Sequence, residues 1–235
     1  MAGSTDIVFI NPHFSDLPDS LKQVIFEPQL LKEAGLLIKE LRGRGATYFF
    51  KLREDRCVLR HYWRGGSARH FSKDRYVWMG LKRTRSFREW KLLEQLESLS
   101  LPAPRRIALR IIRTGLFYRS DIVTKEIQDS VSLSATLKVE DLEKSVWMRI
   151  GRMIRPFHDH NVYHQDLNAS NILLTLQYCY LIDFDRGRID AGNGWKAGTL
   201  NRLKRSLEKF ATNETTFHYD PGKWMSLMDG YQQVD

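Results

Sequence analysis

The sequence predicts an α+β fold in two parts, and three observations carry the prediction. Strand-like runs gather between residues 46 and 127, helical apolar stripes dominate from residue 140 onward, and a polar, serine-containing connection over 126–134 separates them. The expected organisation is an N-terminal extension over 1–40, a first lobe over 41–128 with an antiparallel sheet and a helix, and a short, mainly helical second lobe over 129–235. A chain of 235 residues can bury its core as one large domain or as two small lobes around a cleft.

The opening residues are turn-rich, with Asn11-Pro12 and Leu17-Pro18-Asp19. A short helix is expected from Pro28 to about Ile38, because Leu30, Leu31, Ala34, Leu37 and Ile38 share a face. Gly43 and Gly45 then open a turn into a strand through Tyr48-Phe49-Phe50-Lys51-Leu52. Arg53-Glu54-Asp55-Arg56 reads as a polar hairpin turn and Cys57 to Trp63 as the returning strand, broken by Arg64-Gly65-Gly66. After a long basic loop, Phe87, Trp90, Leu93 and Leu96 recur at helical spacing, and Pro102 and Pro104 end that helical region. Two strands, over 107–112 and 116–127, join at Thr114-Gly115.

In the second half, Leu142, Val146, Ile150, Met153 or Ile154, and Phe157 form one helical stripe over 140–158. An apolar hairpin follows, its second strand marked by Tyr178, Tyr180 and Ile182, and two further helices are expected over 200–210 and 222–231. Internal repeats and low-complexity segments are absent from the sequence.

Two cysteines, Cys57 and Cys179, far apart and without a partner motif, exclude a disulfide framework or zinc ribbon and fit a reducing cytoplasm. Residues 1–10 lack the pattern of a secretory signal, and the longest apolar run, 172–182, is too short to span a bilayer. A cytoplasmic protein, at most attached to a membrane surface, is expected. The formal charge of +9 suits nucleic acid, an anionic membrane or a small anionic substrate, and otherwise reads as a solvated basic surface. No nucleic-acid motif is present, so no such partner is expected.

The chemistry concentrates in His164-Gln165-Asp166-Leu167-Asn168-Ala169-Ser170-Asn171 and in Leu181-Ile182-Asp183-Phe184-Asp185. A loop Asp beside a hydroxyl acceptor serves as base in phosphoryl transfer, while an Asn five residues on and an Asp after a short hairpin supply oxygens for Mg²⁺. Asp166 is thus the candidate base, and Asn171 and Asp183 are the candidate metal ligands; alone, His-x-Asp before polar residues also reads as a helix cap. Asp185 is either a second metal-shell group or a turn residue. Gly43 and Gly45 would let backbone N–H groups approach the phosphates of ATP, although Tyr48 stands where a third glycine is expected. Arg60, two residues after Val58, is the candidate phosphate cation with Glu89 as its partner, and Lys82 competes for that role. His158, His160 and His164 match no zinc spacing, and His164 is expected to brace the loop.

These residues resemble a known family. His164-x-Asp166-Leu167-x-x-x-Asn171 and Asp183-Phe184-Asp185 look like motifs of the protein-kinase-like superfamily. Leu59 to Gly66, Arg83 to Glu89, His164 to Leu174 and Leu181 to Gly187 look like those of its bacterial lipopolysaccharide kinase family, the 3-deoxy-D-manno-octulosonic acid (Kdo) and heptose kinases. The resemblance, over about residues 40 to 210, implies a bilobal protein-kinase-like fold with a five-stranded antiparallel sheet in the first lobe.

It further implies transfer of the ATP γ-phosphate to the 4-hydroxyl of Kdo on lipid A, at the cytoplasmic face of the bacterial inner membrane. Asp166 would be base, Asn171 and Asp183 Mg²⁺ ligands, Glu89 the helix glutamate, and Glu126 and Ile127 an adenine-contacting hinge; Gly43, Gly45, Val58 and Arg60 complete the nucleotide site. An anionic glycolipid of the Kdo–lipid A type and the anionic membrane surface are the implied partners, with Arg64, Arg69, Arg186 and Arg188 among the cations expected to hold them.

Against protein kinases, Gln165 replaces an Arg, Asn168 a Lys, and Arg60 the usual strand Lys, and no Ala-Pro-Glu follows Asp185. Activation-loop phosphorylation and a peptide-docking platform are therefore not expected. The rival readings are a kinase for a core heptose, a small metabolite or a protein, and a non-catalytic basic binding module.

Overall fold

The structure, a computed structural model, describes residues 4–42, 45–63, 74–192 and 194–233, which form two compact units. Unit 1 comprises 1–94 and 105–126, and unit 2 comprises 95–104 and 127–235. Gly43, Arg64 and Arg69 lie outside the described residues.

Unit 1 is a seven-stranded sheet with helices on it. Its elements are β1 (Ser4–Ile10), α1 (Asp19–Val24), α2 (Pro28–Glu33), β2 (Leu37–Arg42), β3 (Ala46–Leu52), β4 (Asp55–His61), β5 (Tyr76–Val77), α3 (Arg85–Ser98), β6 (Arg106–Thr114) and β7 (Phe117–Lys125). The strands run β1-β6-β7-β4-β3-β2, all antiparallel, with β5 added to β7. The sheet thus exceeds the five strands that the resemblance implied, because residues before the turns at Asn11-Pro12 supply β1, the end of the expected helix with the residues after it supplies β2, and the stretch read as a basic loop supplies β5.

The expected helix over 28–38 ends at Glu33. Gly35 adopts φ +68°, its N–H bonds to Lys32 O at 3.0 Å, and the Leu36 N–H bonds to Leu31 O at 2.9 Å, a glycine-terminated helix end. Leu37 continues the helical stripe in sequence, but the chain has already reversed into β2.

Side chains alternate across β4. Cys57 and Leu59 point into a core shared with Leu17, Ile25, Phe26, Leu31, Phe50, Leu52, Ala108 and Val123, whereas Val58 and Arg60 are half-buried on the opposite face. Arg110 fastens the N-terminal helices to the sheet: it pairs with buried Asp121 at 2.9 Å and with Glu27 at 2.6 Å, and donates to Phe26 O at 3.2 Å.

Unit 2 takes Gln95–Pro104, the end of α3 and its loop, together with β8 (Val131–Ser132), α4 (Leu133–Thr136), α5 (Lys144–Asp159), β9 (Val162–Tyr163), β10 (Ile172–Leu174), β11 (Cys179–Leu181), β12 (Arg188–Ile189), α6 (Gly194–Asn213) and α7 (Pro221–Gln232). α5 is the centre, burying Ile150, Met153, Ile154 and Phe157 of the expected stripe; Leu142 precedes the helix, Val146 is half-buried, and Trp147 is the buried residue of the first turn. On β11 of the β10–β11 hairpin the buried side chains are Cys179 and Leu181, while Tyr178 just before it is 61% exposed, so this strand faces the core with the opposite parity to that expected.

α5 and α7 pack backbone to backbone. A Cβ on Gly230 would overlap the Met148 carbonyl, and one on Gly151 would overlap the Leu227 carbonyl. In an unobstructed helix Gly→Ala gains up to about 1 kcal/mol. Here Gly230→Ala is expected to reverse that sign and cost about 2–3 kcal/mol through overpacking, read as a lowered midpoint in urea.

His158 of α5 is 2% exposed and joins three helices, with Nδ1 at 2.8 Å from Tyr231 Oη of α7 and Nε2 at 3.1 Å from Thr199 Oγ1 of α6. The Thr199 hydroxyl donates to Lys196 O at 2.8 Å, so Nε2 carries the ring proton and Nδ1 accepts from Tyr231, which fixes the neutral tautomer. Burial, aided by the charge of Lys196, pushes this imidazole down to about 4. Because the folded-state value lies below the unfolded one, the protein is fully stabilised above about pH 6.5 and loses on the order of 3 kcal/mol as pH falls toward 4. Denaturant titrations over that window are expected to show this slope, and His158→Gln to flatten it.

Candidate functional site

The candidate base and its neighbours lie in unit 2, on the segment joining β9 to β10. Asn168, not Asp166, caps the short 3-10 turn Ala169–Asn171, its Oδ1 accepting from Ser170 N at 2.8 Å. Asn168 Nδ2 and Asn171 Nδ2 both donate to the Asp166 main-chain carbonyl, at 3.0 and 2.9 Å. These bonds hold the loop around Asp166 and fix both amides, with the Asn171 amide donating back to the loop through nitrogen and keeping Oδ1 as its oxygen donor.

The Asp166 side chain is half-exposed, and Arg202 of α6 grips one of its oxygens, Oδ1, with Nε at 3.0 Å and Nη2 at 2.6 Å. Burial alone would raise this carboxyl. The Arg202 hydrogen bonds and charge outweigh that and hold it below the usual carboxylate range. One turn further along α6, Ser206 Oγ accepts from Ala169 N at 3.3 Å. Helix α6 therefore touches the loop twice. Neither residue stands out in the sequence, where Arg202 is one of several basic residues between 196 and 209.

His164 is 3% exposed, bonds through Nε2 to Ile182 O at 3.0 Å, and meets Phe184 edge-on at 4.9 Å. Phe184 in turn stacks on Phe157 of α5 at 5.9 Å, so the segment bearing Asp183 is anchored to the central helix. Ile182 N donates to Asn171 O at 2.9 Å, which brings Asp183 into sequence directly beside that bridge. Asp183 is exposed and adopts φ +67°, a left-handed conformation uncommon outside glycine and often kept at functional positions. The donor set fits magnesium: an amide oxygen and a carboxylate are hard ligands, and Mg²⁺ binds through one or two protein oxygens together with substrate phosphates.

Unit 1 carries the other candidates. On β4, Arg60 forms an ion pair with Glu89 of α3, and Tyr62, on the same face, donates to the other Glu89 oxygen at 2.5 Å. Glu89 is 2% exposed. Arg60, rather than exposed Lys82, is the cation paired with it. α3 begins where the buried Thr84 Oγ1 accepts from Phe87 N at 3.4 Å, and Arg106 braces it through Glu94 at 2.6 Å and over the Trp90 ring at 4.7 Å.

Gly45 lies directly under the exposed Trp63 indole, into which a Cβ would run unless the ring shifted, so the packing of that ring favours a glycine here. Glu126 spends its carboxylate on Arg56, at 2.7 Å, and its N–H on Arg56 O, at 2.8 Å, within unit 1; in unit 2 the Ile127 carbonyl accepts from Ser130 Oγ at 2.6 Å. Of the cations expected to hold an anionic acceptor, Arg186 is exposed, and Arg188 pairs with Asp190 at 2.7 Å and covers the Tyr163 ring at 4.1 Å.

With this geometry in hand, the sequence model of the lipopolysaccharide kinase (Kdo/WaaP) family matches residues 28–231. Among curated proteins, a 3-deoxy-D-manno-octulosonic acid kinase of Haemophilus influenzae (strain PittEE) is 41% identical over 218 residues, covering 88% of this chain and 90% of the relative. One of the same name from Actinobacillus succinogenes is 36% identical over 225 residues, covering 92% and 93%. Among solved structures, a chain described as WaaP in complex with acyl carrier protein matches with a TM-score of 0.61 over 96% of this chain and 88% of that one, at 15% identity, a likeness of fold.

Proposed function

Because the chain belongs to the lipopolysaccharide kinase (Kdo/WaaP) family, we propose that it transfers the γ-phosphate of ATP to the 4-hydroxyl of a Kdo sugar carried on lipid A. The α+β architecture is that of the kinase-like fold, and the activity is phosphotransfer to a sugar hydroxyl in lipopolysaccharide biosynthesis. The observation that carries the mechanism is the presentation of Asp166: a half-exposed carboxylate kept ionised chiefly by Arg202, which grips Oδ1, and so able to take a hydroxyl proton.

In this reading Asp166 accepts the acceptor's proton as the sugar oxygen attacks the γ-phosphorus and ADP departs. Arg202 keeps the Asp166 carboxylate oriented. Asn171 and Asp183 would hold Mg²⁺, which neutralises phosphate charge when bound. Arg60, fixed by buried Glu89, would meet the nucleotide phosphates, with Gly43, Gly45 and Val58 forming the rest of that surface. Glu126 and Ile127 would contact adenine through polar groups other than those already bonded to Arg56 and Ser130.

The acceptor assignment rests on the names of the relatives, which cover most of this chain. Such an acceptor lies on a membrane, and among the described residues no helix is long and apolar enough to cross one. We place the protein peripherally at the cytoplasmic face of the inner membrane, where the family resemblance puts such an acceptor. ADP release is the test: it is expected to rise on addition of Kdo–lipid A and not with an acceptor ending in heptose. Equal turnover with both would refute the acceptor.

A further inference from the structure

The β6–β7 hairpin ends in an apolar tip that folding does not require. Gly115, at φ +59°, begins the two-residue turn closed by the Thr114–Phe117 pair, and the other turn residue is Leu116. Turn apices ordinarily carry small polar residues. Here Leu116 is 73% exposed and Phe117 43% exposed. β5 lies alongside: Val77 pairs with Phe117, and the Trp78 N–H extends the ladder to Leu116 O at 2.8 Å. Val77 and Met79 are 55% and 63% exposed, so four large apolar side chains from two chain segments cluster at one end of the sheet.

A basic collar surrounds them. Arg113 lies over the Trp78 ring at 5.1 Å, and Trp78 meets Tyr118 edge-on at 6.1 Å. Arg75 and Arg119 flank the Tyr76–Tyr118 pair on the side away from the tip, and Lys82 and Arg83 follow Met79 by three and four residues. All five cations are exposed. The sequence contains no Asp or Glu over 75–88 or over 98–120, and the acidic neighbour at the edge is Asp74, which pairs with Arg119 at 3.6 Å.

Apolar side chains at a tip, an indole behind them and arginines around them are the composition of a surface that enters a lipid headgroup layer: the apolar groups insert, the aromatic ring sits at the boundary, and the cations meet lipid phosphates. The geometry points to Val77, Met79, Leu116 and Phe117, ringed by Arg75, Lys82, Arg83, Arg113 and Arg119, as the surface by which this protein docks on an anionic bilayer. This rests on the lipid-borne acceptor proposed above. A protein partner or a second copy of the chain offers no comparable reason for an arc in which basic residues so outnumber acidic ones.

The test uses the full chain and vesicles without any acceptor lipid. Cosedimentation with phosphatidylcholine vesicles containing phosphatidylglycerol is expected, with binding at least about tenfold weaker to pure phosphatidylcholine. The double variant Leu116→Ser, Phe117→Ser should bind the anionic vesicles at least about tenfold more weakly while its thermal midpoint stays near wild type. A polarity-sensitive fluorophore on Leu116→Cys, with Cys57 and Cys179 buried, should shift to the blue on adding anionic vesicles. Unchanged binding by the double variant, the absence of a blue shift, or loss of a dimer in place of lost vesicle binding would each overturn the proposal.

A deacylated, water-soluble Kdo acceptor separates this inference from the kinase reading. Wild type and double variant should phosphorylate it equally, with the variant slower only on vesicle-embedded acceptor. No transfer to either acceptor would refute the kinase reading and leave the vesicle result standing by itself.

Discussion

Asp166→Ala is expected to reduce transfer to Kdo–lipid A by about a thousandfold or more while nucleotide affinity stays within about twofold, since a positioned general base contributes about 10²–10⁴. The carboxylate is half-exposed and its side chain is not part of the core, so the loss should fall on kcat with little change in stability. The loop is tied through the Asp166 carbonyl, which Ala retains, and so Asn168 and Asn171 keep their bonds. Arg202→Met is the informative companion: it leaves the proposed base in place but removes the guanidinium that holds Oδ1, and should lower kcat by a smaller factor than Asp166→Ala. Single-turnover phosphate transfer at saturating ATP reads both. A rate for Asp166→Ala within tenfold of wild type would remove the base assignment.

Replacing Glu89 is expected to have the second largest effect, of a different kind. Its carboxylate is buried and receives both the Arg60 guanidinium and the Tyr62 hydroxyl. Removing the acceptor of a hydrogen-bonded polar group costs about 1–3 kcal/mol, and in the present reading it also releases the cation meant for the phosphates from Glu89. Glu89→Ala should therefore lower the unfolding midpoint and raise KM for ATP at least about tenfold, where one decade corresponds to 1.4 kcal/mol. Glu89→Gln keeps an acceptor for Tyr62 but no charge for Arg60, and is expected to recover more stability than ATP affinity. Urea titration and initial-rate kinetics separate the two. Wild-type KM in a folded Glu89→Ala variant would dismiss the clamp.

Much of this was legible in the sequence where one local pattern dominates. The stripe Phe87, Trp90, Leu93 and Leu96 became α3, the alternation around Thr114-Gly115 became β6 and β7, and the motif residues kept loop positions because a loop is specified by its own short sequence. The misreadings have physical causes. Leu37 and Ile38 extend an apolar helical face past Ala34, yet Gly35 had already closed the helix; a glycine one residue after a periodic run is the stronger signal. β1 was hidden because Ser4-Thr5-Asp6 looks like loop until β6 pairs with it, and the parity of β11 depends on which side of the hairpin α5 occupies.

The same reasoning explains what was missed in the site. Arg202 and Ser206 lie 36 and 37 residues from the loop atoms they touch, and only the packing of α6 brings them there. The reverse holds for Gly45: two glycines before a strand suggested a phosphate turn, whereas the Trp63 ring lying over it gives that glycine a packing role of its own.

The most direct measurement is the position of the new phosphate. Incubation of the protein with Mg-ATP and Kdo–lipid A, followed by mass spectrometry and two-dimensional ³¹P–¹H NMR of the product, should show one added phosphate coupled to H4 of Kdo, formed by wild type and not by Asp166→Ala. A phosphate on a different sugar or on another Kdo hydroxyl, or equal product from the Asp166→Ala variant, would contradict the account.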